Sequence, residues 1–256
     1  MTDPRPDVAS FAAARAAILQ RIAAACARAG RDPSGVQLVA VSKTVEPDRL
    51  RDAVAAGLTE LGENRVQEAV RKAPEVPGAR FELVGPLQSN KARKALEVFV
   101  RIQTVDSVSL AERLDRLVDE VRPGARYPVL LQVNVDLDAA KSGFAPETLE
   151  AALPAVLACS RLDVQGLMTV GRLTADVDEA RATFAGLRAL RDRLRGVHPG
   201  LGPALSMGMT DDFETAVEEG ATIVRVGRAL FGERPHHHGD GTVDHAHPPG
   251  PDPRAG

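Results

Sequence analysis

The stretch Val36–Val45 reads VQLVAVSKTV, an apolar run that closes on a lysine. Its valines and leucine suit the middle of a protein. Lysine does not, because stripping an ammonium group of water is costly unless the charge is paired or the proton is given up. Lys43 therefore either marks a wet strand end or has chemistry to perform there.

The rest of the chain repeats the pattern that begins here. After an opening helical stretch, short β-like runs ending in small or polar residues alternate with stretches of helical periodicity. The runs are Val36–Lys43, Thr59–Asn64, Phe81–Gly85, Arg101–Ser107, Val129–Asp136, Leu162–Val170, Ala204–Met209 and Thr222–Gly227. Between them, Leu110, Leu114, Leu117 and Val121 form one helical stripe, and Phe184, Leu187, Leu190 and Leu194 another. Pro47 and Pro146 read as helix starts, Gly57 and Gly196 as stops, and Asp211 or Asp212 as an N-cap. Strict alternation implies parallel strands joined by crossovers, and eight units predict a closed (β/α)8 TIM barrel. An open doubly wound sheet is the alternative, but no G-x-G-x-x-G follows the first strand. The barrel is expected to fill 1–234. Residues 235–256, rich in Pro, Gly, His and Asp, are expected to be a disordered tail.

Bulk properties narrow the function. The 256 residues suit one large domain, and 32 basic against 35 acidic side chains give a net charge of −3, without the basic excess of a nucleic-acid binder. Cys26 and Cys159, in helix-like segments, have neither metal-type spacing nor a disulfide framework, so a reducing cytoplasm is the expected location. The N-terminus lacks the basic start and apolar stretch of a secretory signal, and no segment is expected to reach transmembrane length, so no membrane partner is expected. No metal site is expected either: five of the six histidines lie in the tail, leaving His198 in the body.

Barrel chemistry gathers at the C-terminal ends of the strands, and side chains alternate in and out along each. With Lys43 pointing into the mouth, Val39 and Val41 fill the barrel beneath it, while Leu38, Ala40 and Ser42 face the helices. In VLLQVNVD, Val129, Leu131, Val133 and Val135 pack on helices, and Gln132 and Asn134 look inward. Asn64, Gly85, Asp106 and Ser107 reach the same end. Ser206 and Gly208 end the seventh run, and Gly227 and Arg228 the eighth, where barrels often hold phosphate on backbone N–H groups. Arg225 shares the parity of Ile223 and Gly227, which turns its guanidinium into the mouth. Singly, each has a plainer reading: a solvated lysine, a turn, a structural ion pair, and core filler for Met168, Met207 and Met209. Their coincidence at one barrel end favours a site.

The ordered blocks VAVSKT, ELGENRVQEA, LVGPLQSNK, VNVDLDAAKSGF, GLMT, LSMGMTDD and VRVGRALFG, from Val36 to Gly232, resemble the pyridoxal phosphate homeostasis protein family, single-domain relatives of the alanine racemase barrel. The resemblance implies a fold type III barrel without the C-terminal β domain. It also implies pyridoxal 5′-phosphate held as a Schiff base on Lys43, Arg225 facing the pyridine nitrogen, Ser206, Gly208, Gly227 and Arg228 around the phosphate, and Asn64 near the ring. Two positions depart from relatives: Glu82 stands where a histidine is common, and Arg228 where a hydroxyl is common.

The function implied is binding of the cofactor and a part in vitamin B6 and amino-acid balance, by a monomer, with apo pyridoxal-phosphate enzymes as candidate recipients. A permanently charged arginine opposite the ring nitrogen disfavours its protonation and weakens the electron sink. A racemase is the enzyme alternative. It needs a second acid–base group, and the single tyrosine, Tyr127, precedes the fifth run and so belongs to the wrong end of the barrel. A cofactor-free Schiff-base aldolase is the third reading.

Overall fold

The structure is a computed structural model that describes residues 7–171, 174 and 176–232. The tail expected at 235–256 lies outside the described residues. In chain order the elements are α1 (Val8–Arg28), β1 (Gln37–Val41), α2 (Pro47–Ala55), β2 (Glu60–Glu63), α3 (Val66–Lys72), β3 (Arg80–Leu83), α4 (Ala92–Val98), β4 (Arg101–Val105), α5 (Val108–Val121), β5 (Tyr127–Gln132), α6 (Pro146–Leu157), β6 (Leu162–Met168), α7 (Val177–Val197), β7 (Ala204–Ser206), α8 (Phe213–Glu218), β8 (Ile223–Val226) and α9 (Arg228–Phe231). The strands form a closed parallel barrel in the order β1 to β8, with β8 returning to pair with β1. The expected architecture is present.

The barrel interior shows the expected alternation. Val39, Leu130, Met168 and Ile223 form a cluster inside the strands, whereas Ala40, Val129, Leu131 and Val133 join the larger core between strands and helices. Leu38 packs against that outer core, and Ser42 hydrogen-bonds toward α3. The strands are shorter than the apolar runs. Beyond β4, Asp106 and Ser107 belong to the loop, where Ser107 caps α5 by accepting from Leu110 N–H. Beyond β5, Val133 keeps one bridge to Phe144 before the chain turns.

Several expectations need correction. Gly196 does not stop α7, which runs on to Val197 with His198 as its C-cap. The buried stripe of α5 is Leu110, Ala111, Leu114 and Val118, so Leu117 and Val121 lie at its margin. Cys159 falls beyond the end of α6, and both cysteines are free and buried. Asp212 holds the N-cap position of α8, but its carboxylate accepts from Met209 N–H rather than from the helix. Met209 is only half-buried, whereas Met168 and Met207 are core. Pro47 and Pro146 do start helices.

The expectation that no segment reaches transmembrane length also fails. Helix α1, at 21 residues, is long and apolar enough by length and composition to cross a membrane. Its alanines supply much of that apolar character. Here the helix buries one stripe, Phe11, Ile18, Ile22, Ala25 and Cys26, on the barrel. It packs against α2, α8 and α9, the helices flanking the line where β8 meets β1. Phe11 meets Phe231 edge to face at 5.7 Å, Arg21 pairs with Glu214 at 3.0 Å, and Arg28 with Glu218 at 2.7 Å.

Truncating a large buried aromatic leaves a cavity as well as lost contact. Phe11→Ala is therefore expected to lower stability by about 3–5 kcal/mol, read from urea unfolding. A change below about 1 kcal/mol, the size of a surface substitution, would mean that α1 is loosely laid on the barrel.

Candidate functional site

Lys43 stands two residues past β1, in a tight turn closed by Val45 N–H donating to Ser42 C=O at 3.0 Å. Thr44, its neighbour, has φ +65°, a left-handed conformation that is strained for a β-branched residue. Such strain, on the order of 1–3 kcal/mol, persists only where the surroundings over-determine it. Here they do. Glu68 Oε2 accepts from Thr44 N–H at 3.3 Å, and Lys72 Nζ donates to Ser42 C=O at 2.9 Å.

Lys72 and Glu63 are both wholly buried, with Lys72 Nζ 2.7 Å from Glu63 Oε1, which also accepts from Ser42 Oγ at 2.7 Å. Glu68 stands 3.7 Å from the same ammonium. Burial pushes the Glu63 carboxyl upward and Lys72 pulls it back. This cluster between β2 and α3 grips the residues on both sides of Lys43, leaving the half-buried lysine to project from a clamped backbone. Sequence reasoning missed it. GENRVQEAVRK carries its members, but their burial depends on α3 folding back onto β2.

On the neighbouring strand, Arg225 is buried within the barrel. Its Nη1 donates to Ser206 Oγ at 2.7 Å and its Nη2 to Thr169 C=O at 2.8 Å. Burial lowers its pKa to about 10 and Asp212 opposes the shift, so the guanidinium is charged at neutral pH. The register Val39↔Arg225 and Ala40↔Val226 carries β1 and β8 to the mouth side by side. Gly227 follows at that seam, where a Cβ would come 3.3 Å from Val41 C=O. It is the N-cap of the short α9, where Leu230 and Phe231 N–H both donate to Gly227 C=O at 3.0 Å, so the amides at the very start of the turn are those of Arg228 and Ala229.

The other expected residues are distributed less simply. The Ser206 hydroxyl, fully buried, donates to Gln103 Oε1 at 2.6 Å while accepting from Arg225. Its single proton is thus committed inside the barrel. Gly208 has φ +89°, and a Cβ there would lie 2.5 Å from Ala216 Cβ, so the glycine lets α8 close over the β7 loop. The Arg228 side chain is exposed and ion-pairs with Asp211, pointing along the surface. Asn64 lines a cavity of about 260 Å³ across the mouth, with Gly85, Gln132, Asn134 and Lys141. Lys141 Nζ there is buried without a hydrogen bond, though Asp136 and Asp138 lie 3.6 and 3.8 Å away. Tyr127 is the first residue of β5, not a residue before it. Its hydroxyl is buried at the opposite end of the barrel, donating to Phe99 C=O at 2.7 Å.

The donor set fits an anionic, aldehyde-bearing aromatic group. An amine, a cation inside the barrel and the helix-start amides of Arg228 and Ala229 lie at the β1–β8 seam, and a cavity lined by Asn64 and Lys141 lies across the mouth. Groups of three or more metal-ligating side chains do not occur among the described residues.

The chain is similar to known proteins over most of its length. Residues 14–235 match the family model of the alanine racemase N-terminal domain. The chain is 45% identical over 223 residues to the pyridoxal phosphate homeostasis protein of Pseudomonas aeruginosa, covering 86% of this chain and 94% of that one. It superposes on the PipY protein of Synechococcus elongatus, solved with PLP bound, at TM-score 0.74 and 42% identity, covering 84% of this chain and all of that one. Alanine racemase of Corynebacterium glutamicum shares the fold at TM-score 0.69 and 17% identity, over 90% of this chain and 63% of that one.

Removing one partner of a buried ion pair leaves an uncompensated charge, a loss of about 3–5 kcal/mol. Lys72→Met is expected to lose that much in chemical denaturation, and Lys72→Met with Glu63→Leu to recover a substantial part. A double variant no more stable than the single one would show that the stranded carboxylate is not the cause.

Proposed function

The chain belongs to the family of the pyridoxal phosphate homeostasis proteins, built on the alanine racemase N-terminal domain, and on that premise we propose that it holds pyridoxal 5′-phosphate as a Schiff base on Lys43 and serves intracellular vitamin B6 and amino-acid balance without catalytic turnover. The observation that carries this reading is the seam: β1 and β8 pair directly, so Lys43 and Arg225 reach the mouth on adjacent strands.

Each residue then has a role. Lys43 supplies the amine that condenses with the aldehyde, releasing water, and the Glu63–Lys72 clamp fixes the turn it projects from. Arg225 presents a permanent positive charge to the ring nitrogen. The amides of Arg228 and Ala229, beside Gly227 at the start of α9, supply phosphate donors. Ser206 acts from one step further back, by holding Arg225, and Arg228 contributes only its backbone N–H. Gly208 acts through the packing of α8, and Asn64 lines the ring side. When bound, the cofactor supplies an electrophilic imine carbon and an electron-accepting ring. Arg225 keeps that ring nitrogen unprotonated and the acceptor weak.

The position of Tyr127 supports the carrier reading over a racemase. A second acid–base group would have to face Lys43 across the mouth, and burial raises this phenol's pKa while its proton is given to Phe99. Two buried thiols, both raised in pKa by burial, suit a reducing cytoplasm. The protein is read as acting alone, handing cofactor to apo-enzymes.

Borohydride added to the loaded protein is expected to fix a pyridoxyl group on Lys43, located by tryptic mass mapping, and label found mainly on Lys91 or Lys141 would sink the assignment. Lys43→Ala is expected to retain pyridoxal phosphate in equilibrium dialysis while losing the Schiff-base absorbance. Unphosphorylated pyridoxal should bind the parent protein at least tenfold more weakly, since several charge-assisted contacts, each about 1 kcal/mol or more, are lost with the phosphate.

A further inference from the structure

Arg225 lies at one end of a hydrogen-bonded chain that crosses the barrel interior. From the other end, Arg101 Nη1 donates to Gln37 Oε1 at 3.2 Å, and Gln37 Nε2 donates to Glu82 Oε1 at 3.1 Å. From the mouth, Arg225 Nη1 donates to Ser206 Oγ at 2.7 Å, Ser206 Oγ donates to Gln103 Oε1 at 2.6 Å, and Gln103 Nε2 donates to Glu82 Oε2 at 2.6 Å. Glu82, Gln103 and Ser206 are all fully buried, and Arg101 stands 3.7 Å from the Glu82 carboxylate.

The direction of every bond is forced. A guanidinium has five N–H donors and no acceptor. Ser206 must therefore accept from Arg225 and send its one proton to Gln103. The Gln103 amide must turn its oxygen to Ser206 and its NH2 to Glu82. By the same logic Gln37 turns its oxygen to Arg101. Both strings end on the carboxylate, whose two oxygens accept, and the dipoles between it and Arg225 all present their negative ends toward the mouth. Burial pushes the Glu82 carboxyl upward, and Arg101 and the Gln103 amide oppose the shift.

We propose that Glu82 and Gln103 are positioning residues for the cofactor: through Ser206 they lock the plane and the charge of Arg225, and so set the charge that the ring nitrogen meets. This rests on the reading of Arg225 as the group facing that nitrogen, but the lock on the guanidinium exists without the cofactor and is testable without it. Nothing in FELVG or RIQTV marks either residue for such a task. Glu82 is the family departure that had no evident consequence in the sequence, and the structure gives it one.

The experiment measures two quantities in Gln103→Met, which keeps the volume and removes both bonds, in Glu82→Gln, which keeps the shape and removes the charge, and in Gln165→Met as a control on β6 outside the chain. The first is rotation of the Arg225 guanidinium in the unliganded protein, followed by 15N side-chain NMR and assigned with Arg225→Lys. The second is the position of the Schiff-base band, with the affinity, after loading with pyridoxal phosphate. Gln103→Met is expected to speed rotation tenfold or more, to displace the band and to weaken binding about tenfold. Glu82→Gln should move each in the same direction, and Gln165→Met should move none. If Gln103→Met does not fold, Ser206→Ala cuts the same chain one bond nearer the mouth and carries the same expectation. Unchanged rotation in folded variants would overturn the lock. Faster rotation with an unmoved band and affinity would overturn the positioning role. A parent protein that never shows an imine band would refute the cofactor reading instead, and the rotation rates would still decide the lock.

Discussion

A guanidinium inside a closed barrel has to be solvated by the protein, since it keeps its proton throughout the neutral range. Arg225 is 4% exposed, and the interior around it is arranged to meet that demand. Ser206 and the Thr169 carbonyl take two of its N–H groups, and behind Ser206 an amide and a carboxylate continue the supply of negative ends. An isolated charge at such a place is prohibitive, whereas one met by oriented acceptors is tolerable. The barrel core is consequently split. One part is the apolar cluster of Val39, Leu130, Met168 and Ile223, and the other is a polar string whose members have no freedom to reorient.

The lysine is handled by a parallel device. Lys43 is left half-buried, and the rigidity lies behind it, in the Glu63–Lys72 pair and in the contacts of Glu68 and Lys72 with the backbone of Thr44 and Ser42. Lys43 and Arg225 are thus each backed by a buried carboxylate, Glu63 behind Lys43 and Glu82 behind Arg225. Both carboxylates carry upward pressure from burial relieved by a neighbouring cation. Replacing Lys72 or Arg101 with a neutral group would leave a buried carboxylate with fewer partners.

The inward and outward faces of the strands were legible in the sequence because alternation is a local property. Val39, Ala40, Leu130 and Arg225 fall where parity puts them. What eluded sequence reading depends on closure or on distance. Gln103 meets Ser206 across the barrel axis, 103 positions away in the chain, and no periodicity along β4 announces it. Lys72 looks like a solvated helix-end lysine until α3 lies on β2. Arg228 was expected at the phosphate, but Asp211, 17 positions upstream, draws its side chain outward. Gly196 is not a helix stop because it does not take the left-handed φ of a C′ glycine, and α7 runs through it to Val197.

The seam where β8 meets β1 joins the two ends of the chain's fold. Lys43 lies on one side of it and Arg225 on the other, and α1, ahead of β1 in the chain, spans the line by packing on α2, α8 and α9. During synthesis from the N-terminus, a chain that has finished seven strands still lacks Arg225, Gly227 and the docking surface for Phe11 on Phe231. The entropy of closing so long a loop rises only slowly with its length, so the delay lies in translation rather than in thermodynamic cost. The two sides of the seam are therefore brought together only when β8 closes on β1, and a chain cut before β8 keeps the amine of Lys43 without the guanidinium and the turn that stand beside it.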